Sequence, residues 1–206
     1  MMPYPVRYSV KQPERFTRLQ LLIRVVAFIA LGALGLSFGS LFAFAYLALP
    51  VYAASRLAAR DDARAYLDQD GPRVVLALRW FAALCAWAGL ITETVPARQP
   101  DEAVHLQVEN TAVRPTSVSA ILRALVGLPS ALILMLLYCV GALVWLWAAL
   151  SILVTERIGR GAFDYLVGLQ RWTVRLLAYQ ASLVDEYPPF SFSDVPPALP
   201  QATNAA

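Results

Sequence analysis

The sequence predicts a mainly α-helical integral membrane protein built from two tandem repeats of a helical hairpin unit. Three observations support this fold class. The 206 residues are 59% hydrophobic and only 15% charged, whereas soluble domains carry about 25% charged residues. Residues 25–55 and 124–155 contain no charged side chain, and each run exceeds the ~20 residues that a straight span needs. The second half of the chain also repeats the pattern of the first.

The repeat lies at a constant offset of 92 residues (172 − 80). The matched pairs are Arg79 with Arg171, Trp80 with Trp172, Trp87 with Tyr179, Glu93 with Asp185, and Pro96 with Pro188. Between Val74 and Thr92 the first copy keeps Arg79 as its only charged residue, and this stretch is long enough to cross a bilayer. We therefore expect both Arg-Trp helices to cross the membrane, which gives four spans in total.

Each half follows the same order of elements. A short strand leads into an interfacial entry helix, a long uncharged run, a polar linker, the Arg-Trp helix and a proline-containing exit. The first unit covers residues 1–97 and the second covers residues 98–192. The Pro- and Ala-rich tail, residues 193–206, is predicted to be disordered.

Alternating stretches near Val6 and Val104 predict short strands. Together with the run near Phe190, they could pair into a small sheet on one membrane face, which would satisfy their backbone groups. This strand face would hold eight basic residues and the opposite linker face six. The difference favours a cytoplasmic strand face.

The two uncharged runs differ in how clearly they divide. In the first, either a single long or kinked helix leads out of an interfacial helix, or a tight hairpin turns within the glycine-containing residues 32–40. In the second, Pro129 predicts that an interfacial helix from about Val118 ends there and that the membrane span begins.

A polar stripe on the second Arg-Trp helix is the best candidate for a site. At helical spacing Asp164, Arg171 and Arg175 fall on one face. They could line a site for an anion such as a lipid headgroup. Alternatively the arginines are structural and pair with Asp164 or with a carboxylate of another helix. We favour the structural interpretation, because an intramembrane charge costs about 3 kcal/mol without a partner and Asp164 lies close enough to neutralise part of it.

Few residues of the sequence support catalysis, metal binding or nucleic-acid binding. The chain has one histidine, His105, and neither a nucleophile–base pair nor a metal-binding spacing, so we expect no enzyme and no cofactor. Cys85 and Cys139 lie in apolar stretches and are interpreted as packing residues. The mixed charges of the linker 56–73 are attributed to solvation. The arginines are scattered between spans, a pattern that excludes a nucleic-acid-binding surface.

The motifs of the second half resemble a known family. The run GAFDYLVGLQRWTVRLLAY…LVDEYPPFSF, with VRYSVKQPERFTRLQLLIR near the start, is similar to bacterial membrane proteins of the domain of unknown function 4389. The matching residues are Arg171, Trp172, Arg175, Ala178, Tyr179, Asp185, Glu186, Tyr187, Pro188, Pro189 and Phe190. The resemblance implies a membrane protein and supplies no activity.

These observations predict a broad class of function and no specific process. The chain is expected to be a non-enzymatic, multi-pass protein of the bacterial inner or plasma membrane, an accessory or scaffold of a larger membrane assembly. It would act through its strand face and proline exits, with the lipid bilayer and either a membrane-protein partner or further copies of itself around it. The alternative is an anionic lipid- or anion-binding or transport protein that uses the arginine stripe.

Overall fold

The structure, a computed structural model, describes residues 4–35, 37–60, 63–96, 99–109 and 115–193. The part of the predicted disordered tail beyond residue 193 lies outside these described residues. Of the described residues, 69% are helical, and two short strands among them form one small antiparallel sheet. The prediction of a mainly helical fold with a small sheet is therefore confirmed.

The elements follow one another in this order: β1 (Val6–Ser9), α1 (Arg18–Ala33), α2 (Phe38–Ala58), α3 (Ala63–Ala65), a π-helical turn (Tyr66–Asp70), α4 (Gly71–Ala88), a 3-10 turn (Pro100–Glu102), β2 (His105–Val108), α5 (Ser117–Val126), α6 (Leu128–Thr155) and α7 (Arg160–Gln180). The Arg-Trp helices of the sequence are α4 and α7.

Both uncharged runs are broken into two helices. In the first run, Gly35 adopts a left-handed φ of +72° and Ser37 then caps α2 through a capping box with Ser40. The break lies within the glycine-containing residues 32–40, but α1 and α2 pack on different helices, α6 and α5, so the break by itself does not decide between the two interpretations. In the second run, α5 ends at Val126 and α6 begins one residue before Pro129, so the break lies where it was predicted. A Cβ at Gly127 would collide with the ends of the Gln180 and Tyr46 side chains, so a larger residue there would require both to shift.

The helices that flank these breaks pack across the two halves of the chain. Helix α1 packs against α6, and α2 packs extensively against α5. The start of α1 is fixed by the end of α6, because the backbone N–H of Phe16 donates to the carbonyl of Glu156 at 2.8 Å and Arg18 lies 3.4 Å from the Glu156 carboxylate. The sequence predicts that the entry helix with Arg18 lies on the strand face and that the linker from Glu156 to Arg160 lies on the opposite membrane face. That placement is wrong here, because α1 runs back along α6 and brings Phe28 against Trp145.

Helix α7 forms the centre of the molecule. Fifteen of its 21 residues are buried, and it packs against α2, α4, α5, α6 and β1. The two strands pair antiparallel, with Val6 opposite Val108 and Tyr8 opposite Leu106. Within the described residues the exit near Phe190 adds no third strand, which corrects the expected three-membered sheet. Pro188 and Pro189 lack backbone donors, so this run cannot extend a ladder of hydrogen bonds.

Two of the described helices are long and apolar enough to cross a membrane, by length and composition alone. They are Gly39–Ala58 in α2 and Leu128–Thr155, which is α6. Only 28% and 17% of their apolar windows are buried, so most of their apolar side chains face outward. Helices α4 and α7, which were also expected to cross, do not meet the same criteria among the residues described.

Candidate functional site

The two arginines of the predicted stripe join the N-terminal strand to the C-terminal exit. Arg171 Nε donates to the carbonyl oxygen of Tyr8 at 3.1 Å, and its Nη1 donates to the carbonyl of Phe192. The two bonds point in different directions from one guanidinium. A planar group with five donors can make such a bridge, whereas a lysine ammonium is a single point of charge.

Arg175 repeats this arrangement one helical turn later. It is only 2% exposed, and its Nε lies 3.5 Å from the carbonyl oxygen of Val6. Its Nη1 donates to the carbonyl of Ser193 at 3.1 Å and, at a longer 3.4 Å, to that of Ser191. Two guanidiniums thus occupy the edge of β1 that faces away from β2, and they hold the exit beside it.

Asp164 does not take part in this network. Its side chain is exposed, and among the described residues it forms no ion pair with either arginine. The expected pairing with Asp164 is therefore wrong, and the partners that the structure gives both arginines among the described residues include backbone carbonyls of β1 and the exit. The reason is geometric, because seven residues of helix separate Asp164 from Arg171 by about 10 Å, while the strand edge lies directly against α7.

Aromatic residues of α7 and the exit interleave along the same face. Tyr165, Trp172 and Tyr179 are seven residues apart, so they stack along one side of the helix. The edge-on or tilted ring contacts, by centroid distance, are Tyr165–Phe192 at 5.4 Å, Trp172–Phe192 at 6.1 Å, Trp172–Phe190 at 5.4 Å, Tyr187–Phe190 at 5.8 Å and Tyr179–Tyr187 at 5.6 Å. The structure therefore brings together Trp172, Tyr179, Tyr187 and Phe190 of the predicted motif.

A glycine lets the exit lie close to the helix. A Cβ at Gly168 would lie 2.6 Å from the Cβ and Cγ of Phe192, which is closer than real contacts allow. Pro188 and Pro189 keep the preceding chain extended, and the Tyr187 hydroxyl lies 2.8 Å from that of Ser130 on α6. Near the same end, the Tyr4 hydroxyl donates to the carbonyl of Glu186.

Asp185 pairs with an arginine that the sequence analysis did not select. Arg123, buried on α5, forms an ion pair with Asp185 and donates to the carbonyls of Val184 and Tyr179. Its guanidinium also lies 4.7 Å from the centre of the Tyr179 ring. The available signal is a single arginine within an otherwise apolar helix, and the sequence analysis counts it only among the eight basic residues of the strand face.

The first half contains matching contacts. Arg79 Nε donates to the carbonyl of Leu106 at 3.0 Å, as Arg171 does to Tyr8. Arg24 Nη2 donates to the carbonyl of Thr92 at 2.7 Å, and its guanidinium lies 5.3 Å from the ring centre of Trp87. Thr92 and Trp87 lie 92 residues before Val184 and Tyr179 (184 − 92, 179 − 87), the residues that Arg123 contacts.

The turns that end the two Arg-Trp helices also correspond. Leu90 and Ser182, again 92 residues apart (182 − 90), both adopt a left-handed φ, at 60° and 55°. In each turn the backbone N–H of the third residue past the helix end donates to a carbonyl of the helix, Ile91 to Ala86 and Leu183 to Ala178. Left-handed backbone at two non-glycine residues is uncommon, so its recurrence at one offset is specific.

A second arginine cluster lies in the linker to which the sequence analysis assigned no site. The buried Asp70 carboxylate, at the end of the π-helical turn, lies 2.8 Å from Arg56, 3.1 Å from Arg60 and 3.9 Å from Arg73. The hydrogen bond from Arg56 lowers the pKa of Asp70 below its usual value. The carboxylate therefore fixes the end of α2 to the start of α4.

The remaining candidate residues are the histidine and the two cysteines. Within the described ranges, no three His, Cys, Asp or Glu side chains are placed to hold a metal ion, and His105 is exposed on β2. Both cysteines are free thiols. Cys85 is half-buried but Cys139 is exposed on α6, so the packing interpretation is wrong for Cys139.

Residues 117–191 match the model of a family described as Domain of unknown function (DUF4389). The match confirms the resemblance drawn from the Arg-Trp helix and the proline exit. The match begins at α5 and includes Arg123, Arg171, Arg175 and most of the aromatic contacts. Neither a curated protein nor a solved structure matches the chain.

Proposed function

We propose that this chain, with its DUF4389 segment as the second of two tandem units, is a multi-pass membrane protein and a non-enzymatic accessory or scaffold of a membrane assembly. The observation that best supports membrane integration is the outward-facing apolar surface of α1, α2, α5 and α6. A scaffold needs a rigid body and no reactive group, and the arginine bridges supply such a body.

Helices α1 and α5 turn large apolar residues outward, whereas an amphipathic helix of a soluble protein turns them inward. Their exposed apolar residues correspond in pairs, Leu19 and Val118, Leu22 and Ile121, Ile23 and Leu122, Val26 and Leu125. Each helix instead buries one arginine, Arg24 or Arg123. Large apolar side chains outside and a charged side chain inside are what a lipid environment favours.

The two-unit organisation is supported by contacts that are exchanged between the halves. Strand β1 packs on α7 and β2 packs on α4, while α1 packs on α6 and α5 packs on α2. In this proposal each unit, 1–97 or 98–192, supplies a strand and an entry helix to the other. Neither unit would complete its own packing alone.

The contacts favour the scaffold over the anionic-lipid hypothesis for the stripe. Arg171 and Arg175 donate to backbone carbonyls of β1 and the exit. These bonds commit Nε and Nη1 of each guanidinium to the fold, so a bound phosphate or carboxylate would have to share the guanidinium with them. The arginines are therefore assigned to holding the fold together.

Two measurements test this proposal. Integral membrane association predicts that the protein stays in the membrane pellet after alkaline carbonate extraction, and its release into the supernatant would refute it. Labelling with a water-soluble maleimide gives a second readout. Cys139 should react only after detergent is added, whereas a cysteine introduced by Arg157→Cys should react in intact membranes opened to both sides.

The scaffold role is tested by native mass spectrometry of protein extracted gently from its own membrane. A membrane protein bound at fixed stoichiometry is the expected result. A lone chain that carries a defined anionic lipid would refute the scaffold role and support the lipid-binding alternative.

A further inference from the structure

An apolar stripe on α7 is covered by the chain's own exit. The stripe consists of Gly168, Trp172 and Leu176, which lie four residues apart and so share one side of the helix. Phe192 packs on Gly168, and Phe190 packs edge-on against Trp172. As a result Trp172 is only 4% exposed.

The corresponding stripe on α4 is uncovered. At the offset of 92 residues, Leu76, Trp80 and Leu84 take the places of Gly168, Trp172 and Leu176. They are 49%, 36% and 44% exposed, and Trp80 makes no ring contact within the described part of the chain. The first half has Arg98 and Pro100 where the second has Phe190 and Phe192, so it lacks the aromatic pair that covers Trp172.

Arg79 lies beside this stripe, and its Nη1 makes a longer contact than the Nη1 of Arg171 makes on α7. On α7, Arg171 Nη1 donates to the carbonyl of Phe192, within the exit. On α4, the same nitrogen of Arg79 lies 3.5 Å from the exposed carboxylate of Asp101, in the 3-10 turn that packs on α4. That distance is at the limit of a hydrogen bond, so a backbone carbonyl could replace Asp101 at low cost.

We propose that the Leu76–Trp80–Leu84 stripe docks an extended, aromatic-containing segment of a membrane-protein partner, in the way that α7 holds residues 187–192. This inference rests on the scaffold function proposed above. The segment would place an aromatic ring against Trp80 and a backbone carbonyl at Arg79. Because Leu76 fills the space that Gly168 leaves open, the residue two positions after the ring has to be smaller than phenylalanine.

The first test uses a peptide of residues 186–193 that carries Phe192→Ala, with the purified protein in lipid nanodiscs. A photoreactive phenylalanine analogue replaces Leu84 on α4 or, as the matched control, Leu143 on the outer face of α6. The peptide should attach at position 84 and not at position 143. Trp80→Ala should weaken the attachment about tenfold, and a peptide that also carries Phe190→Ala should not attach. Equal attachment at both positions, or none at position 84, would overturn the proposal and leave the stripe as a lipid-facing surface.

The second test compares native complexes of the wild-type chain with two variants. Leu76→Ala with Trp80→Ala should lose the stoichiometric partner, whereas the control Leu143→Ala with Trp147→Ala should keep it. If the stripe variant keeps its partner, the docking face is wrong and the scaffold function stands. If the wild-type chain has no partner, the scaffold function and this inference both fall.

Discussion

Tyr8 and Leu106 face each other across the two-stranded sheet, and each gives its carbonyl oxygen to an arginine of a different Arg-Trp helix. Arg171 takes the Tyr8 carbonyl and Arg79 takes the Leu106 carbonyl. Exposed strand edges invite pairing with further strands. Here guanidiniums bind at both edges, so a sheet of only two strands is stabilised by the helices on either side.

The bridge made by Arg171 should not tolerate lysine. Arg171→Lys keeps the charge but cannot donate both to Tyr8 and to Phe192, so we expect the free energy of unfolding to fall by about 2 kcal/mol. Thermal unfolding in detergent micelles measures this loss, with the exposed Arg157→Lys as the control. Binding of anionic lipid should stay unchanged. A variant with wild-type stability and lost lipid binding would contradict the structural role.

Gly168 should be sensitive to a single methyl group. Gly168→Ala places a Cβ against Phe192 and should lower the free energy of unfolding by about 1–3 kcal/mol, even though alanine favours helix. Phe192→Ala in the same chain should recover part of this loss, because it removes the clashing ring.

Gly161 provides the matched control, since a Cβ there meets nothing within 4 Å. Gly161→Ala should be neutral or slightly stabilising. Equal destabilisation by both alanine substitutions would mean that helix geometry, and not contact with the exit, decides the effect.

Ser182 should be improved by glycine. Its φ of 55° is left-handed, and its hydroxyl is buried without a hydrogen-bond partner among the described residues. Ser182→Gly relieves both costs, so we expect a gain of about 1 kcal/mol in the free energy of unfolding. Ser182→Ala removes only the hydroxyl and should gain less. A melting temperature that falls with glycine would refute this account of the turn.

Asp70 should make stability depend on acidity. Its pKa is lowered in the folded protein by the hydrogen bond from Arg56, relative to about 3.9 in an unfolded chain. The carboxylate therefore stabilises the fold above about pH 4, and this contribution is lost as the pH falls through the lower, folded pKa. Thermal unfolding between neutral and acid pH should show a shallower decline for Asp70→Asn, which starts from lower stability.

The exposed Asp164→Asn is the matched control for this experiment. It should leave both the neutral stability and the acid decline unchanged, because Asp164 forms no ion pair within the described chain. If Asp70→Asn and Asp164→Asn behave alike, the cluster of Arg56, Arg60 and Arg73 does not stabilise the linker.

The sequence contains enough to predict the positions that matter on α7, and less about what they contact. Helical spacing predicts that Arg171 and Arg175 share one face of α7, because spacing along a helix follows directly from the chain. Their partners are backbone carbonyls of β1 and the exit, and a carbonyl has no residue identity that a pattern could reveal. Arg123 was missed because its ion-pair partner Asp185 lies 62 positions away, a pairing that local spacing does not indicate.

The sequence also does not predict that each half packs its strand and entry helix against the other half. The offset of 92 residues indicates that two stretches are similar, but not whether β1 packs on its own Arg-Trp helix or on the other one. Local preferences of Val6–Ser9 are the same in both cases. The choice depends on tertiary packing, as does the position of α1 along α6.

The bond between Arg171 and Tyr8 joins residues 163 positions apart in the sequence. This separation determines when the bond can form during synthesis of the chain. A nascent chain that has completed α6 already contains both long apolar helices, yet β1 still lacks the guanidiniums that bind its outer edge. The strand near the amino terminus must therefore wait until α7 is synthesised. A chain that stops before α7 would keep both apolar helices but would leave the outer edge of β1 without these two guanidiniums.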